Sequence, residues 1–131
     1  MIDSVWLGMA NSGINDLREI IPSDQRARGI YFCGYPYANR KLIVEDLLLL
    51  NTFSRNDLIV SGPNWTFDKN INVIESPVSH DELIDVYAGS EIVLNMGRTF
   101  SLANEHYNLV STTPGPRTFE CAIAGTPQIY F

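Results

Sequence analysis

Cysteine and histidine are both scarce in this 131-residue sequence, which contains two of each. Cys33 and Cys121 lie far apart in apolar segments, and neither belongs to a closely spaced pair of the kind that metal and redox sites use. Neither carboxylates nor histidines cluster as metal ligands do. We therefore expect two buried, reduced thiols and a protein that uses no metal and no cofactor.

Positive charge is limited as well. Nine lysines and arginines stand against 15 acidic residues, which gives a formal net charge of -6. Nucleic acids and anionic membranes bind basic surfaces, so this charge balance argues against both as partners. A small anionic ligand is compatible with it, because one diphosphate needs only a few local donors.

Long apolar runs are missing too. No stretch approaches the roughly 18 apolar residues of a membrane span, and the N-terminus lacks the basic region and apolar run of a secretion signal. We expect no membrane span and a cytoplasmic location. The 45% hydrophobic and 18% charged residues are typical of a globular protein, and the length suits one domain.

Short apolar runs alternate with helical patterns along most of the chain. Runs rich in β-branched and aromatic residues predict strands at 29–33, 57–61, 72–74, 91–95 and 128–131. Helices are expected at 40–50, at about 80–88 and at 117–124. The alternation predicts the α/β class, with a parallel sheet covered by helices on both faces. Ligands of such sheets bind beyond the carboxyl ends of the strands.

The expected helices carry local signals of their own. Leu42, Ile43, Leu47 and Leu50 form the predicted apolar stripe of the first helix. A capping box starts the second helix at Ser79, with its glutamate three residues later, and Gly125 ends the third.

The two ends of the chain fit this alternation poorly. Residues 1–28 show little periodicity and are interpreted as a linker or a weakly patterned segment. The last residues are an apolar strand without a following turn or helix, which would leave a sheet edge exposed. We therefore expect residues 1–131 to be a single, partial domain of a longer chain.

The stretch from Thr113 to Glu120 is the first candidate site. Gly115 and Pro116 suit the open start of a helix, Thr113 can cap it, and the exposed amides there favour a phosphate that Arg117 can also contact. An ordinary capped helix with a solvated arginine would give the same pattern. Glu120, one turn on among apolar residues, needs a partner such as a ribose, a backbone group or an arginine.

Two further cations follow predicted strands. Arg40 comes after the Gly34 turn, at a helix start where the macrodipole disfavours a cation unless an anion is present, although a surface basic pair would look alike. Arg98 follows the fourth strand. His106 could act as an acid or base, but a loop histidine is the better explanation.

Four segments in order, YFCGYPYANR, LIVSGPNW, HDELIDVYAGSEIVLNMGRT and PRTFECAIAGTPQIYF, carry a resemblance to a known family. They resemble the glycosyltransferases with two Rossmann-like domains, the GT-B architecture, and specifically the spore-maturation-protein-type branch. The resemblance implies that this chain is the C-terminal half, which binds the donor nucleotide sugar. An N-terminal domain that binds the acceptor would then be missing from the chain, and the isolated chain would be incomplete and inactive or weakly active.

The resemblance also implies roles for individual residues. It places Glu120 on the donor ribose, and it makes Arg40 and Arg117 the cations that stabilise the leaving diphosphate. The donor-binding set that it implies comprises Gly34, Arg98, Thr113, Gly115, Arg117, Thr118 and Glu120. Thr112 departs from the family, because many relatives carry a sugar-binding glutamate at this position.

The main functional hypothesis is therefore transfer of a sugar from a nucleoside-diphosphate sugar to an unknown acceptor. The alternative is a noncatalytic nucleotide- or protein-binding module of the same fold, since a fold alone does not fix a function. A dehydrogenase is disfavoured, because no G-x-G-x-x-G motif follows a strand.

Overall fold

A computed structural model of the chain describes residues 18–50, 57–67, 72–74, 78–97 and 114–131. These residues form one five-stranded sheet, three α-helices and a short 3-10 helix at Ser23–Gln25. Within this described part of the chain, no helix combines the length and the apolarity that crossing a bilayer requires.

The sheet is parallel throughout and its strand order is β3-β2-β1-β4-β5. Its strands are β1 (Arg28–Cys33), β2 (Leu58–Ser61), β3 (Asn72–Ile74), β4 (Ser90–Asn95) and β5 (Gln128–Tyr130). The predicted α/β class and the five predicted strands are confirmed, with bounds within one or two residues. β1 lies at the centre of the sheet. β2 and β3 lie on one side of it, and β4 and β5 lie on the other.

Helix α1 (Ala38–Leu49) covers one face of the sheet. Val44 is its fully buried apolar residue, and it packs with Phe32, Val60 and Leu94 of the strands. The predicted stripe was only partly right, because Leu42 and Leu50 are exposed, whereas Ile43, Leu47 and Leu48 pack against the core. Since the helix is apolar on nearly every side, periodicity could not select the buried face.

Helices α2 (His80–Ala88) and α3 (Pro116–Ile123) cover the opposite face. Ile84, Tyr87 and Cys121 from these helices form a second core cluster with Tyr31 and Val93 of the sheet. The expected helices on both faces are thus present. Gly125 adopts a φ of 64° directly after α3, as the sequence predicted for a helix terminator.

The described part of the predicted linker, residues 18–27, is packed onto the domain. Three side-chain nitrogens of Arg26 donate to backbone oxygens of Ile21, Ser90 and Gly125, at 3.0, 2.7 and 3.0 Å. The amide of Arg18 donates to the carbonyl of Ile123 at 3.1 Å. This segment is held by polar contacts of arginine, which hydrophobic periodicity does not reveal.

Two glycines bring the turns after β1 and β2 together. Gly34 and Gly62 have φ values of 149° and 129°, a region that favours glycine. A Cβ on Gly62 would lie 2.5 Å from the carbonyl oxygen of Gly34. The two turns therefore approach each other as closely as they do because neither has a side chain there.

Gly62→Ala should lower the free energy of unfolding by about 2 kcal/mol, because the new methyl group meets a carbonyl oxygen in a strained backbone conformation. Gly97→Ala is the matched control, since a Cβ at Gly97 has only the Phe131 carbonyl oxygen near it, at 3.7 Å. Urea unfolding of both variants measures the difference. Equal stabilities would contradict the close approach of the two turns.

The start of α2 should make stability depend on pH. Glu82 accepts hydrogen bonds from the Ser79 hydroxyl and amide at 2.7 and 2.9 Å, and these bonds lower the pKa of its carboxyl group. A lowered pKa in the folded state adds stability above the unfolded pKa, and this contribution is lost as the pH falls through the folded value.

We therefore expect Glu82→Gln to be less stable than the wild type at neutral pH and to approach its stability as the pH falls through the lowered folded pKa of Glu82. Thermal unfolding between pH 7 and pH 3 measures the trend. Asp81→Asn, a neighbouring exposed carboxylate in the same first turn, is the control. A Glu82→Gln effect that stays constant with pH would rule out the capping contribution.

Candidate functional site at the carboxyl ends of the strands

The candidate site lies where β1 and β4 end side by side. β1 pairs with β2 on one side and with β4 on the other, so the chain direction across the sheet reverses between β1 and β4. Loops that leave such strands on opposite sides open a crevice, and this switch point is where open α/β sheets bind ligands. The predicted residues Gly34, Arg40 and Arg117 all lie at this edge.

Arg40 is buried beneath this edge, with 7% of its surface exposed. Its Nε and Nη2 donate to the Met96 carbonyl oxygen at 3.1 and 2.9 Å, and its Nη1 donates to the Tyr35 carbonyl oxygen at 3.3 Å. Its guanidinium carbon also lies 5.3 and 5.1 Å from the ring centroids of Phe32 and Tyr37. The guanidinium of Arg40 thus links the loop after β1 to the loop after β4.

Arg40 is therefore not half of a surface basic pair. Each of its three nitrogens bonds to a backbone carbonyl, which uses three of the five N–H donors of the guanidinium. Its contact with a ligand stays a prediction. The neighbouring Asn39 reinforces the same link, because its Nδ2 donates to the Gly97 carbonyl oxygen at 3.0 Å.

Arg117 reaches the same edge from the opposite face of the sheet. Its Nε lies 3.1 Å from the hydroxyl of Tyr87, and its Nη2 donates to the carbonyl of Cys33 at the end of β1. Its guanidinium carbon is 4.8 Å from the centroid of the Phe32 ring. Arg117 is half-buried, and its Nη1 makes no hydrogen bond to any described residue.

Helix α3 is fixed over the end of β4 by a polar cluster. Asn95 Nδ2 donates to Thr118 Oγ1 at 2.9 Å and to Gln128 Oε1 at 2.8 Å, and Gln128 Nε2 donates to the Thr118 carbonyl oxygen at 3.3 Å. Thr118, a predicted donor-binding residue, therefore uses its hydroxyl oxygen to hold the helix on the sheet. Its own hydroxyl proton is still available to a further acceptor.

Glu120 lies one turn beyond Arg117 on α3 and is half-buried. Its carboxylate forms neither a hydrogen bond nor an ion pair with any described residue, because Arg117 is directed towards Cys33 and Tyr87 instead. Of the partners expected for it, an arginine and a backbone group are thus not found in the described part of the chain.

The start of α3 is open. Its N-cap is Gly115, which has no side chain to cap the helix, and Pro116 occupies the first helical position. A Cβ at Gly115 would meet no heavy atom of the described residues within 4 Å. Thr113, the residue expected to cap the helix, is therefore not its N-cap and lies outside the described residues.

The charges of Arg117 and Glu120 affect the pKa values of two buried groups, Tyr87 and Cys121. Burial raises the pKa of Tyr87 and raises the pKa of Cys121 to about 11, while the nearby Arg117 guanidinium opposes both shifts. The Cys121 thiol is thus protonated at neutral pH, and it is buried and free, as predicted. Cys33 is half-buried, and both cysteines are free.

Three other sequence predictions cannot be placed. Arg98, Thr112 and His106 lie outside the described residues.

Gly34 is at the edge of the site, but its amide donates to the Ser61 carbonyl oxygen at 2.9 Å and its carbonyl accepts from the Trp65 indole at 2.7 Å. Gly34 can therefore permit close approach, but its amide is not available to a phosphate.

Phe32, Tyr87 and Asn95 were not predicted as site residues. In the sequence Phe32 and Tyr87 look like ordinary core aromatics. Nothing there indicates that guanidiniums contact the Phe32 ring or that one contacts the Tyr87 hydroxyl. Asn95 had a weak signal, because a polar residue ends an otherwise apolar strand.

A second concavity, of about 360 Å³, lies at the opposite end of the sheet, where Arg28, Asp57 and Glu91 surround the amino ends of the strands. Strand ends of this kind do not face the switch-point crevice. Among the described residues, no group of three or more histidine, cysteine or acidic side chains is arranged to hold a metal ion.

Arg40→Lys should lower the free energy of unfolding by about 2 to 4 kcal/mol, because a lysine ammonium lacks the planar fork with which the guanidinium bonds to both loop carbonyls and packs near two aromatic rings. Lys41→Ala, one residue along the same helix, should change it by less than about 0.5 kcal/mol, because its pair with Glu45 is long and exposed. Denaturant titration compares the two. A stable Arg40→Lys protein would show that the buried guanidinium does not hold the loops.

Comparison with known proteins adds one finding. The family model described as glycosyl transferase-like matches residues 40–130, which include most of the sheet, all of α2 and α3, and both arginines at the site. No curated protein and no solved structure matches the chain. Since the matched region spans well over half of the sequence, the chain belongs to the glycosyl transferase-like family.

Proposed function

We propose that this chain binds a nucleoside-diphosphate sugar as the donor domain of a glycosyltransferase. Membership in the family supports glycosyl transfer in general. The observation that carries the proposal for this site is the pair of charged groups on α3. The Arg117 guanidinium has an edge without a described partner, and Glu120, one turn away, has a carboxylate without one.

The two groups suit two parts of one ligand. A guanidinium beside an open helix start favours a diphosphate, because charge and aligned amides act on the same anion. A carboxylate accepts hydrogen bonds only, so it suits neighbouring hydroxyls such as those of a ribose. A nucleoside diphosphate contains both parts at a separation of a few bonds.

The chemistry would be electrophilic assistance at the leaving group. As the bond between the sugar and the diphosphate breaks, negative charge grows on the departing phosphate oxygen. Arg117 and the start of α3 interact more strongly with this developing charge than with the intact donor, and this difference lowers the barrier. In this proposal Arg40 acts indirectly, by holding the loops after β1 and β4 that border the site.

The finer parts of the function are also proposals. The order of the four resembling segments supports the spore-maturation-protein-type branch and the C-terminal half of a GT-B architecture. A second domain would then supply the acceptor and complete the active site. Gly115 and Thr118 belong to the proposed donor site through their place at the start of α3. Arg98 and Thr113 belong to it through their places in the sequence, Arg98 after the fourth predicted strand and Thr113 before the third predicted helix.

Titration with UDP-, GDP- and ADP-sugars tests donor binding. We expect Glu120→Gln to weaken binding of the preferred nucleoside diphosphate about tenfold or more, since hydrogen bonds to a charged group are lost. The same variant should bind inorganic pyrophosphate as the wild type does, because pyrophosphate has no ribose. Calorimetry measures both affinities.

Glu91→Gln is the matched control, because Glu91 is an exposed glutamate at the amino end of β4, away from the site. It should leave both affinities unchanged. If none of the three donors binds, the noncatalytic module becomes the better explanation. If Glu120→Gln weakens pyrophosphate as much as the nucleotide, the ribose assignment is wrong.

A further inference from the structure

Tyr87 is placed to control the direction of the Arg117 side chain. It is fully buried in α2, and its hydroxyl lies 3.1 Å from Nε of Arg117 on α3. Tyr87 is itself held in place: Thr126 Oγ1 donates to its carbonyl oxygen at 2.6 Å, and its ring makes an edge contact with Tyr31 at 5.9 Å between centroids. The hydroxyl is therefore a fixed point.

Three contacts together restrain the guanidinium. Nε meets the Tyr87 hydroxyl, Nη2 meets the Cys33 carbonyl, and the plane lies near the Phe32 ring. A free arginine has many rotamers, and ordering it on a ligand costs entropy that a restrained arginine has already lost. Of the three contacts, the Tyr87 hydroxyl can be removed with the least change of shape.

The hydroxyl also keeps its character over the working pH range. Burial raises the pKa of Tyr87, so the group stays a neutral hydroxyl whose oxygen accepts from the guanidinium. The contact therefore restrains Arg117 without neutralising it. The positive charge stays available to an anion at the Nη1 edge, which bonds to no described residue.

We propose that Tyr87 is a positioning residue that aims the Nη1 edge of Arg117 at the ligand diphosphate. This inference rests on the proposed function, because it needs Arg117 to contact the diphosphate. It adds a residue from the core of the domain that was not among the predicted site residues and that acts through Arg117 without touching the ligand.

The test is a double-mutant cycle with inorganic pyrophosphate and the preferred nucleoside diphosphate as probes. Arg117→Gln should weaken both probes about tenfold or more. Tyr87→Phe should weaken both about fivefold in the wild-type background and have no effect in the Arg117→Gln background, because coupled residues lose their effect together. Arg117→Lys, which keeps the charge but loses the Nε donor, should make Tyr87→Phe equally silent.

Tyr31→Phe is the matched control. Tyr31 is a second buried tyrosine in the same cluster, but its hydroxyl lies 2.5 Å from the Ser61 hydroxyl and not at Arg117. It should alter pyrophosphate affinity less than twofold, although its thermal midpoint should fall about as far as that of Tyr87→Phe. If both variants lose pyrophosphate affinity in proportion to the fall in their thermal midpoints, the positioning role is wrong.

The outcomes separate the two proposals. If Arg117→Gln weakens the probes and Tyr87→Phe does not, the positioning role is wrong and the proposed function stands. If Tyr87→Phe weakens binding equally with and without Arg117, Tyr87 acts through another route and the inference also fails. If Arg117→Gln leaves both affinities unchanged, or if the wild type binds neither probe, the diphosphate assignment fails and the role of Tyr87 fails with it.

Discussion

The buried guanidinium of Arg40 is the contact on which the carboxyl edge of the sheet depends. The pairing of β1 with β4 runs from Arg28 and Ser90 to Tyr31 and Val93, so the strand ladder does not itself join Tyr35 and Met96, which lie beyond the ends of the strands. Arg40 bridges them through the carbonyls of Met96 and Tyr35. A buried charge is costly in free energy unless it is hydrogen-bonded, so these bonds stabilise the buried guanidinium and the carbonyls together. Arg40 therefore supports the sheet edge at the switch point from a buried position.

Phe32 connects this structural cation to the second arginine. Its buried ring lies within 5.3 Å of the Arg40 guanidinium carbon and within 4.8 Å of that of Arg117, at the end of the central strand. Aromatic rings attract guanidiniums without neutralising them, so two like charges can share one apolar support. The two arginines then differ in what else they meet. Arg40 is buried and bonds to carbonyls through all three of its nitrogens, whereas Arg117 keeps an edge without a described partner, and the proposed function rests on this difference.

Sequence reasoning recovered the fold because its signals are local. The apolar runs of β1, β2 and β4, the capping box at Ser79 and the glycine after α3 each determine their element nearly alone. It could not separate Arg40 from Arg117, because both follow a turn and begin a helix, and only packing across the sheet buries one of them. The same limit hid Tyr87, whose hydroxyl acquires a role from a helix about 30 residues away in the chain. The sequence therefore predicted that both arginines lie at one edge of the sheet, but not which of them the packing buries.

The acidity of the whole chain is compatible with an anion site at this edge because electrostatic fields act locally. At physiological ionic strength exposed charges are screened beyond about 8 Å, so most of the surface carboxylates that produce the net charge of -6 contribute little at the end of β1. Arg117 and the open start of α3 act at contact distance, where screening is weak. An extended polyanion would have to pass over the acidic surface as well, whereas a single diphosphate meets only the cations at the edge. In the proposed donor site this charge pattern would favour a small anion. The nearby Glu120 would disfavour an anion that extended past the first turn of α3, unless that part of the ligand presented hydroxyls instead of phosphates.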